Sequence, residues 1–106
     1  MELTSKQRAF LRSQANGIET ILFIGHDGVT ENIIIQAHDA LTARELIKGR
    51  VLDTAPLTAR QACDLLAERT GAVGVQVIGS RFVLFRENPK NRKIFFSFTK
   101  DREKRN

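Results

Sequence analysis

The chain has 106 residues, of which 42% are apolar and 27% charged, with 17 Lys or Arg against 12 Asp or Glu. This length fits one domain and excludes two full domains. No apolar run approaches the roughly 20 residues of a membrane helix, and the start of the chain lacks a basic region followed by an apolar stretch, so we expect neither a membrane partner nor export. Because the single cysteine, Cys63, cannot form an internal disulfide, we expect a cytoplasmic location.

The positive charge is unevenly distributed along the chain. Residues 1–85 carry nine basic and nine acidic side chains, whereas residues 86–106 carry eight basic and three acidic ones, which accounts for the whole net charge of +5. A basic extension favours a polyanionic partner, but it is equally typical of a solvated terminus. Charge alone leaves both interpretations open.

Seven elements are predicted from apolar periodicity, capping residues and glycines. In chain order they are helix, strand, helix, strand, helix, strand and strand, over residues 5–14, 18–24, 31–41, 45–52, 59–70, 72–78 and 81–85. Thr4, Thr30 and Thr58 precede the three helices as caps, and Gln61 stands at the capping-box position after Thr58. Gly79-Ser80 joins the last two strands in a tight hairpin.

This order predicts an α/β domain, a two-layer αβαβαββ fold with a four-stranded mixed sheet. The continuous apolar run Ile21–Ile24 is typical of a strand covered on both faces, so we expect the first strand to be central. Lys48 and Arg50 share one face of the second strand because strand side chains alternate. That face is either a binding surface or the ordinary solvent side of the sheet.

No signature of catalysis, metal binding or cofactor binding is present. Cys63 stands on the apolar stripe of the third helix and is interpreted as a core residue. The two histidines, His26 and His38, lack metal-ligand spacing, and neither a P-loop nor a dinucleotide fingerprint occurs. We therefore expect no enzymatic activity, no metal and no cofactor.

The segment Gly25-His26-Asp27-Gly28 leads directly into the second helix. Paired glycines let a sugar-phosphate backbone approach the amides, and the helix N-terminus favours a phosphate, as in the GxxG loops that clamp nucleotides. Two glycines three apart also form an ordinary turn. Asp27 counts against phosphate contact, while His26 could donate a hydrogen bond or stack on a base.

The first helix adds basic residues, namely Lys6, Arg8 and Arg12. Arg8 and Arg12 lie one turn apart on the same face. A solvated helix face explains this spacing equally well.

Several short motifs resemble the CRM domain family, named for chloroplast RNA splicing and ribosome maturation, and in particular its stand-alone bacterial YhbY-like members. The resemblance covers about residues 3–86. It is carried by Leu3-Thr4-x-Lys6-Gln7-Arg8-x-x-Leu11-Arg12, Ile24-Gly25-x-x-Gly28-Val29-Thr30-Glu31, Ala40-Leu41, Glu45-Leu46-Ile47-Lys48, Thr70-Gly71-Ala72, Val75-Gln76-Val77-Ile78-Gly79 and Val83-Leu84-Phe85-Arg86.

The resemblance implies an RNA-binding domain over residues 1–86, similar in fold to the C-terminal domain of translation initiation factor 3. It also implies ribosomal RNA in precursors of the large ribosomal subunit as the partner. By position, the RNA-binding residues would be the loop Gly25, His26, Asp27 and Gly28 with Lys6, Arg8, Arg12 and Lys48, to which we add Arg50. A monomer is expected.

Residues 87–106 form a basic C-terminal extension, for which we favour a partly ordered strand over 93–98 followed by disorder. The alternatives are a charged, disordered tail and stacking of its phenylalanines on unpaired bases beside Lys93 and Lys100. Its apolar cluster Ile94–Phe98 supports a second hypothesis. The domain could instead be a protein-interaction module that docks on a ribosomal protein or assembly factor through this cluster.

Overall fold

A computed structural model describes residues 2–94 of the chain. The predicted order of elements is confirmed: α1 (Ser5–Ala15), β1 (Thr20–Ile24), α2 (Glu31–Arg44), β2 (Leu46–Val51), α3 (Ala59–Thr70), β3 (Val73–Ile78) and β4 (Arg81–Phe85). The four strands form one sheet in the order β1-β2-β4-β3. β1 runs parallel to β2, and β4 is antiparallel to both of its neighbours, so the predicted mixed sheet is confirmed.

Local capping interactions set the start of every helix. Thr4 and Gln7 form a reciprocal capping box at α1, and Thr58 and Gln61 form a second one at α3. The Thr30 hydroxyl accepts a hydrogen bond from the Ile33 amide at the start of α2. Each cap satisfies a backbone donor that has no partner within the helix.

The two faces of the sheet are covered to different extents. α2 and α3 pack on one face, where the larger core cluster includes Leu22, Ile47, Leu66 and Phe82. α1 packs on the opposite face, over the end of the sheet where β2 begins and β4 ends; its smaller cluster contains Leu11, Ala15, Leu46, Val75, Val83 and Phe85. The two predicted layers are thus α2 with α3 and the sheet, and α1 adds a partial third layer.

The prediction that β1 is central is wrong, because β1 lies at an edge of the sheet. The strand register shifts between Thr20 and Leu22, and Ile21 packs against the same large cluster as Leu22 and Ile24. Phe23 points away from that cluster and is 50% exposed. The apolar run therefore reflects one crowded face plus one exposed aromatic side chain, and not a strand covered on both faces.

Two glycines permit close packing within the sheet. A Cβ at Gly49 would lie 2.3 Å from the ring of Phe82, so this ring occupies the space above β2. Gly74 stands where the β3–β4 register shifts, and a Cβ there would lie 3.0 Å from the Cys63 sulfur. The glycine that interrupts the predicted second strand is therefore required by its neighbour across the sheet.

Glu45 joins α2 to β2 and anchors the segment that follows β4. It is fully buried, with a φ of 65°. Its carboxylate accepts hydrogen bonds from the amides of Asn88, Lys93 and Ile94, at 2.5, 2.6 and 2.7 Å. The predicted strand over 93–98 does not begin as expected, since Lys93 and Ile94 bond to a side chain and belong to no strand. Residues 95–98 lie outside the described residues.

Candidate nucleic-acid interface

The segment Gly25–Gly28 forms a tight turn between β1 and α2. The amide of Gly28 donates to the carbonyl of Gly25 at 2.9 Å, which closes the turn. A shallow pocket there is lined by the turn together with Thr30 and Ile33 at the start of α2. The structure thus brings the predicted loop and the helix N-terminus together, and we call residues 25–28 the glycine turn.

The two glycines of this turn differ in what the fold demands of them. Gly28 has a φ of 72°, is buried, and a Cβ there would lie 3.4 Å from Pro56. Gly25 has no positive φ, and no atom of residues 2–94 lies within 4 Å of the position that its Cβ would take. Folding therefore explains glycine at position 28 but not at position 25, where a missing side chain leaves the backbone open to a ligand.

The tip of the turn is exposed and carries charges of both signs. His26 and Asp27 have side chains that are 80% and 76% exposed, with Nε2 of the imidazole 3.2 Å from Oδ1 of the carboxylate. Glu31, in the first turn of α2, is paired with Arg69 of α3 at 2.9 Å. The free amides of a helix start attract anions, but Asp27 and Glu31 oppose this attraction, so cations for a polyanion must come from neighbouring surfaces.

The cations of α1 lie in different environments. Lys6 is exposed and Arg12 is half-buried. The guanidinium of Arg8 donates from Nη1 to the carbonyls of Gly74 and Val75, at 2.8 and 2.7 Å. Arg8 thus supports the irregular part of β3, a role that its spacing from Arg12 did not indicate.

Lys48 and Arg50 do share one face of β2, as predicted, and it is the face that carries α1. The register places Phe23 beside Arg50 on one side and Arg81 beside it on the other. Sequence reasoning missed Phe23 and Arg81. The alternation of residues in each strand contains this signal, but only the strand order brings the three side chains into one row.

The single cysteine, Cys63, is buried in the core. Burial raises the pKa of the Cys63 thiol to about 11, with the Asp64 carboxylate adding to the effect, so the thiol stays protonated near neutral pH. Within residues 2–94, no three His, Cys, Asp or Glu side chains converge on a possible metal position. No helix in that range is long and apolar enough to span a membrane.

The structure is a small α/β domain. It has a glycine turn at the start of a helix and basic side chains on the adjacent sheet. Residues 3–86 match the model of the CRS1 / YhbY (CRM) domain. The chain therefore belongs to the CRM domain family.

Relatives and a solved structure resemble nearly the whole chain. A Bacillus subtilis protein named "Probable RNA-binding protein YqeI" is 39% identical over 92 residues, which are 87% of this chain and 96% of that protein. An "RNA-binding protein" of Haemophilus influenzae is 32% identical over 84 residues, covering 79% of this chain and 85% of the relative. The solution structure of the hypothetical protein SAV1595 from Staphylococcus aureus superposes with a TM-score of 0.74 at 42% identity, covering 89% and 98% of the two chains.

Proposed function

We propose that the protein is a non-enzymatic RNA-binding protein that uses the glycine turn together with neighbouring cations. The observation that carries this proposal is Gly25, a glycine that the fold does not need at a position facing open space. The family membership and the names of the relatives support RNA as the class of ligand. The proposed interface comprises the turn with Lys48 and Arg50 of β2. Lys6, Arg8 and Arg12 belong to α1, where Arg8 bonds to β3 at the edge of the sheet opposite β1, so they contribute only to a ligand that extends across the sheet.

The substitution Gly25→Ala tests this proposal. A methyl group at this position meets no atom of the protein, so stability should be unchanged or raised by about 0.4–1 kcal/mol through the unfolded state. The same methyl group would obstruct a backbone phosphate, so we expect RNA affinity to fall about tenfold, the loss of roughly one charged hydrogen bond. Fluorescence anisotropy with a ribosomal RNA fragment at low salt measures the affinity, and thermal unfolding measures stability.

Gly17→Ala is the matched control, because Gly17 also has no positive φ and its nearest atom, the Gln14 carbonyl oxygen, would lie 3.7 Å from the added carbon. Equal affinities for the two variants would contradict a role of the turn. Failure of the unmodified protein to bind RNA at low salt would contradict the proposal as a whole. Affinity should also fall steeply with salt, since phosphate contacts release counterions.

Ribosomal RNA of large-subunit precursors is the proposed target, as the resemblance to stand-alone family members implies. The alternative, docking on a protein through the apolar cluster Ile94–Phe98, loses one member because Ile94 packs against the smaller core cluster beneath α1. Residues 95–98 lie outside the described part. Sedimentation of ribosomal particles with and without nuclease separates the two hypotheses. If RNA holds the protein on the particle, the protein is released when the RNA is digested. If another protein holds it, it stays with the particle.

Crosslinking followed by sequencing of the bound RNA identifies the site on the target. Enrichment of large-subunit precursor sequences is the expected result. Recovery of unrelated transcripts in proportion to their abundance would reject ribosomal RNA as the specific partner, while leaving RNA binding itself intact.

A further inference from the structure

Among residues 2–94, α1 covers only part of one face of the sheet. α1 packs over the end that contains Leu46 and Phe85, and Ala15 and Asn16 at its C-terminal end line a pocket with Lys48. On the side of this pocket nearer the glycine turn, a row of four side chains crosses the four strands: Phe23, Arg50, Arg81 and Ile78, of which the last two also line the pocket. With strands spaced by about 4.8 Å, this row spans roughly 14 Å. We call the row together with Lys48 the open face.

The open face combines exposed apolar side chains with cations. Phe23 and Ile78 are 50% and 63% exposed. Among residues 2–94 the other large exposed apolar side chains are Leu52, which directly follows β2, and Ile35 on α2. Phe23 and Ile78 stand at the two ends of the row with Arg50 and Arg81 between them, so the surface is a mixture of apolar and cationic side chains and not a contiguous apolar patch.

Its cations are free to meet a ligand. No carboxylate of the described residues forms a salt bridge with Lys48, Arg50 or Arg81. The pocket beside α1 is lined by Lys48, Arg81, Gln76 and Asn16 with apolar residues, and no acidic side chain of residues 2–94 lines it. The positive charge of this face is therefore not neutralised from within the described part of the chain, and a ligand with negative charge fits it.

We infer that the open face binds unpaired RNA, with a base stacked on Phe23 and the flanking phosphates held by Arg50 and Arg81. This inference rests on the proposed function and specifies its ligand as single-stranded. Aromatic rings interleaved with cations suit nucleic acid, because every unpaired base offers a π face next to a phosphate. A duplex hides those faces, so only unpaired nucleotides can use the ring.

Continuity with the glycine turn favours RNA over an acidic protein segment as the occupant. Phe23 precedes Gly25 by two residues on the same strand end, and the Leu52 amide donates to the Ile24 carbonyl at 2.9 Å, which holds the ends of β1 and β2 together. A single strand can therefore pass from the turn onto the row without leaving the protein surface. One exposed ring among separated cations offers less to an amphipathic helix, which needs a continuous apolar groove.

The absence of tryptophan and tyrosine from the chain permits a direct test. Phe23→Trp introduces a single fluorophore into the open face, and Ile35→Trp places one at the exposed position on α2 as a matched control. A single-stranded RNA octamer is titrated into each protein, followed by a hairpin with the same bases paired, and by polyglutamate as an acidic peptide. Stacking should quench Phe23→Trp with the octamer only, and Ile35→Trp with none of the three.

Affinity measurements complete the test. Phe23→Leu, which keeps an apolar side chain, should weaken octamer binding about tenfold, whereas Phe23→Tyr should retain it. Arg81→Gln should lower the salt dependence by about 0.7 in the logarithmic slope, the value for one phosphate contact with a single strand, while Arg60→Gln on α3 should not. Thermal unfolding of each variant checks that the fold is kept.

The inference is overturned if Phe23→Leu binds the octamer as tightly as the unmodified protein, or if hairpin and octamer quench Phe23→Trp equally. Equal quenching by polyglutamate would instead assign the face to an acidic protein partner. Failure of this inference can be told apart from failure of the proposed function. If the proposed function fails, the unmodified protein binds no RNA. If only this inference fails, the unmodified protein still binds RNA, and Gly25→Ala still reduces the affinity.

Discussion

Single residues carry structural roles that their positions in the sequence do not reveal. Glu45 stands where the sequence predicts the first residue of a strand, yet it is a buried carboxylate with a positive φ of 65°. Its three amide donors come from residues more than 40 positions later. Sequence periodicity describes contacts within one element, so it cannot predict hydrogen bonds between residues that lie more than 40 positions apart.

The substitution Glu45→Ala should lower the free energy of unfolding by about 2–4 kcal/mol, because buried amides lose their acceptor. Urea denaturation measures the loss, and hydrogen exchange should show faster exchange at Asn88, Lys93 and Ile94. The exposed Glu68 of α3 provides the control Glu68→Ala, with an expected change within about 0.5 kcal/mol. Similar losses for the two variants would show that the Glu45 hydrogen bonds contribute nothing.

Two arginines also make long-range hydrogen bonds that the sequence does not predict. Arg8 supports β3, and Arg86 donates to the carbonyls of His38 and Thr70 and to the Thr42 hydroxyl, joining the end of β4 to α2 and α3. A guanidinium has five donors and serves backbone carbonyls as readily as phosphates. Sequence spacing identifies where basic residues lie on a helix, but not which acceptors are within reach.

At the scale of elements, local signals were sufficient for the helices and insufficient for the sheet. The caps at Thr4, Thr30 and Thr58 act within one turn, and all three are confirmed. Strand order depends on contacts between distant segments, and the predicted central place of β1 is wrong for that reason. The glycine turn was found because it joins neighbouring elements, and the row from Phe23 to Ile78 was missed because it crosses all four strands.

The contact between β2 and β4 gives a prediction for the sheet. Gly49→Ala should cost about 1–3 kcal/mol, because the added carbon would lie 2.3 Å from the Phe82 ring. The double variant Gly49→Ala with Phe82→Leu should lose less unfolding free energy than the two single variants lose together, because the smaller Leu side chain leaves space for the added carbon. Urea denaturation of all four proteins measures this coupling, and strictly additive losses would contradict it.

For the whole molecule, the net charge of +5 does not indicate where on the fold the cations gather. Within the basic C-terminal region, Arg86 is engaged in internal hydrogen bonds and Arg92 pairs with Glu87 at 2.7 Å. The balanced part of the chain nevertheless holds Lys48, Arg50 and Arg81 together on one face. The distribution of charge over the fold therefore matters more to the proposed interface than the total.

Two truncations separate anchoring from RNA contact. A chain that ends at Ile94 keeps the amide donors Asn88, Lys93 and Ile94 to Glu45, so it should be more stable to heat than a chain that ends at Glu87. It lacks four basic and two acidic residues, so its RNA affinity should fall moderately at low salt without disappearing. A chain that ends at Glu87 should lose stability as well. Equal stability of the two truncated chains would contradict an anchoring role for residues 88–94.

The bond between Arg8 and β3 has a consequence for association between copies of the protein. β3 is an edge strand, and regular edge strands invite pairing with a strand of another molecule. Here the register shift and the guanidinium bound to Gly74 and Val75 remove a regular row of free acceptors from the middle of the strand. We therefore expect α1, which packs on one face of the sheet, also to protect the β3 edge from pairing with another molecule.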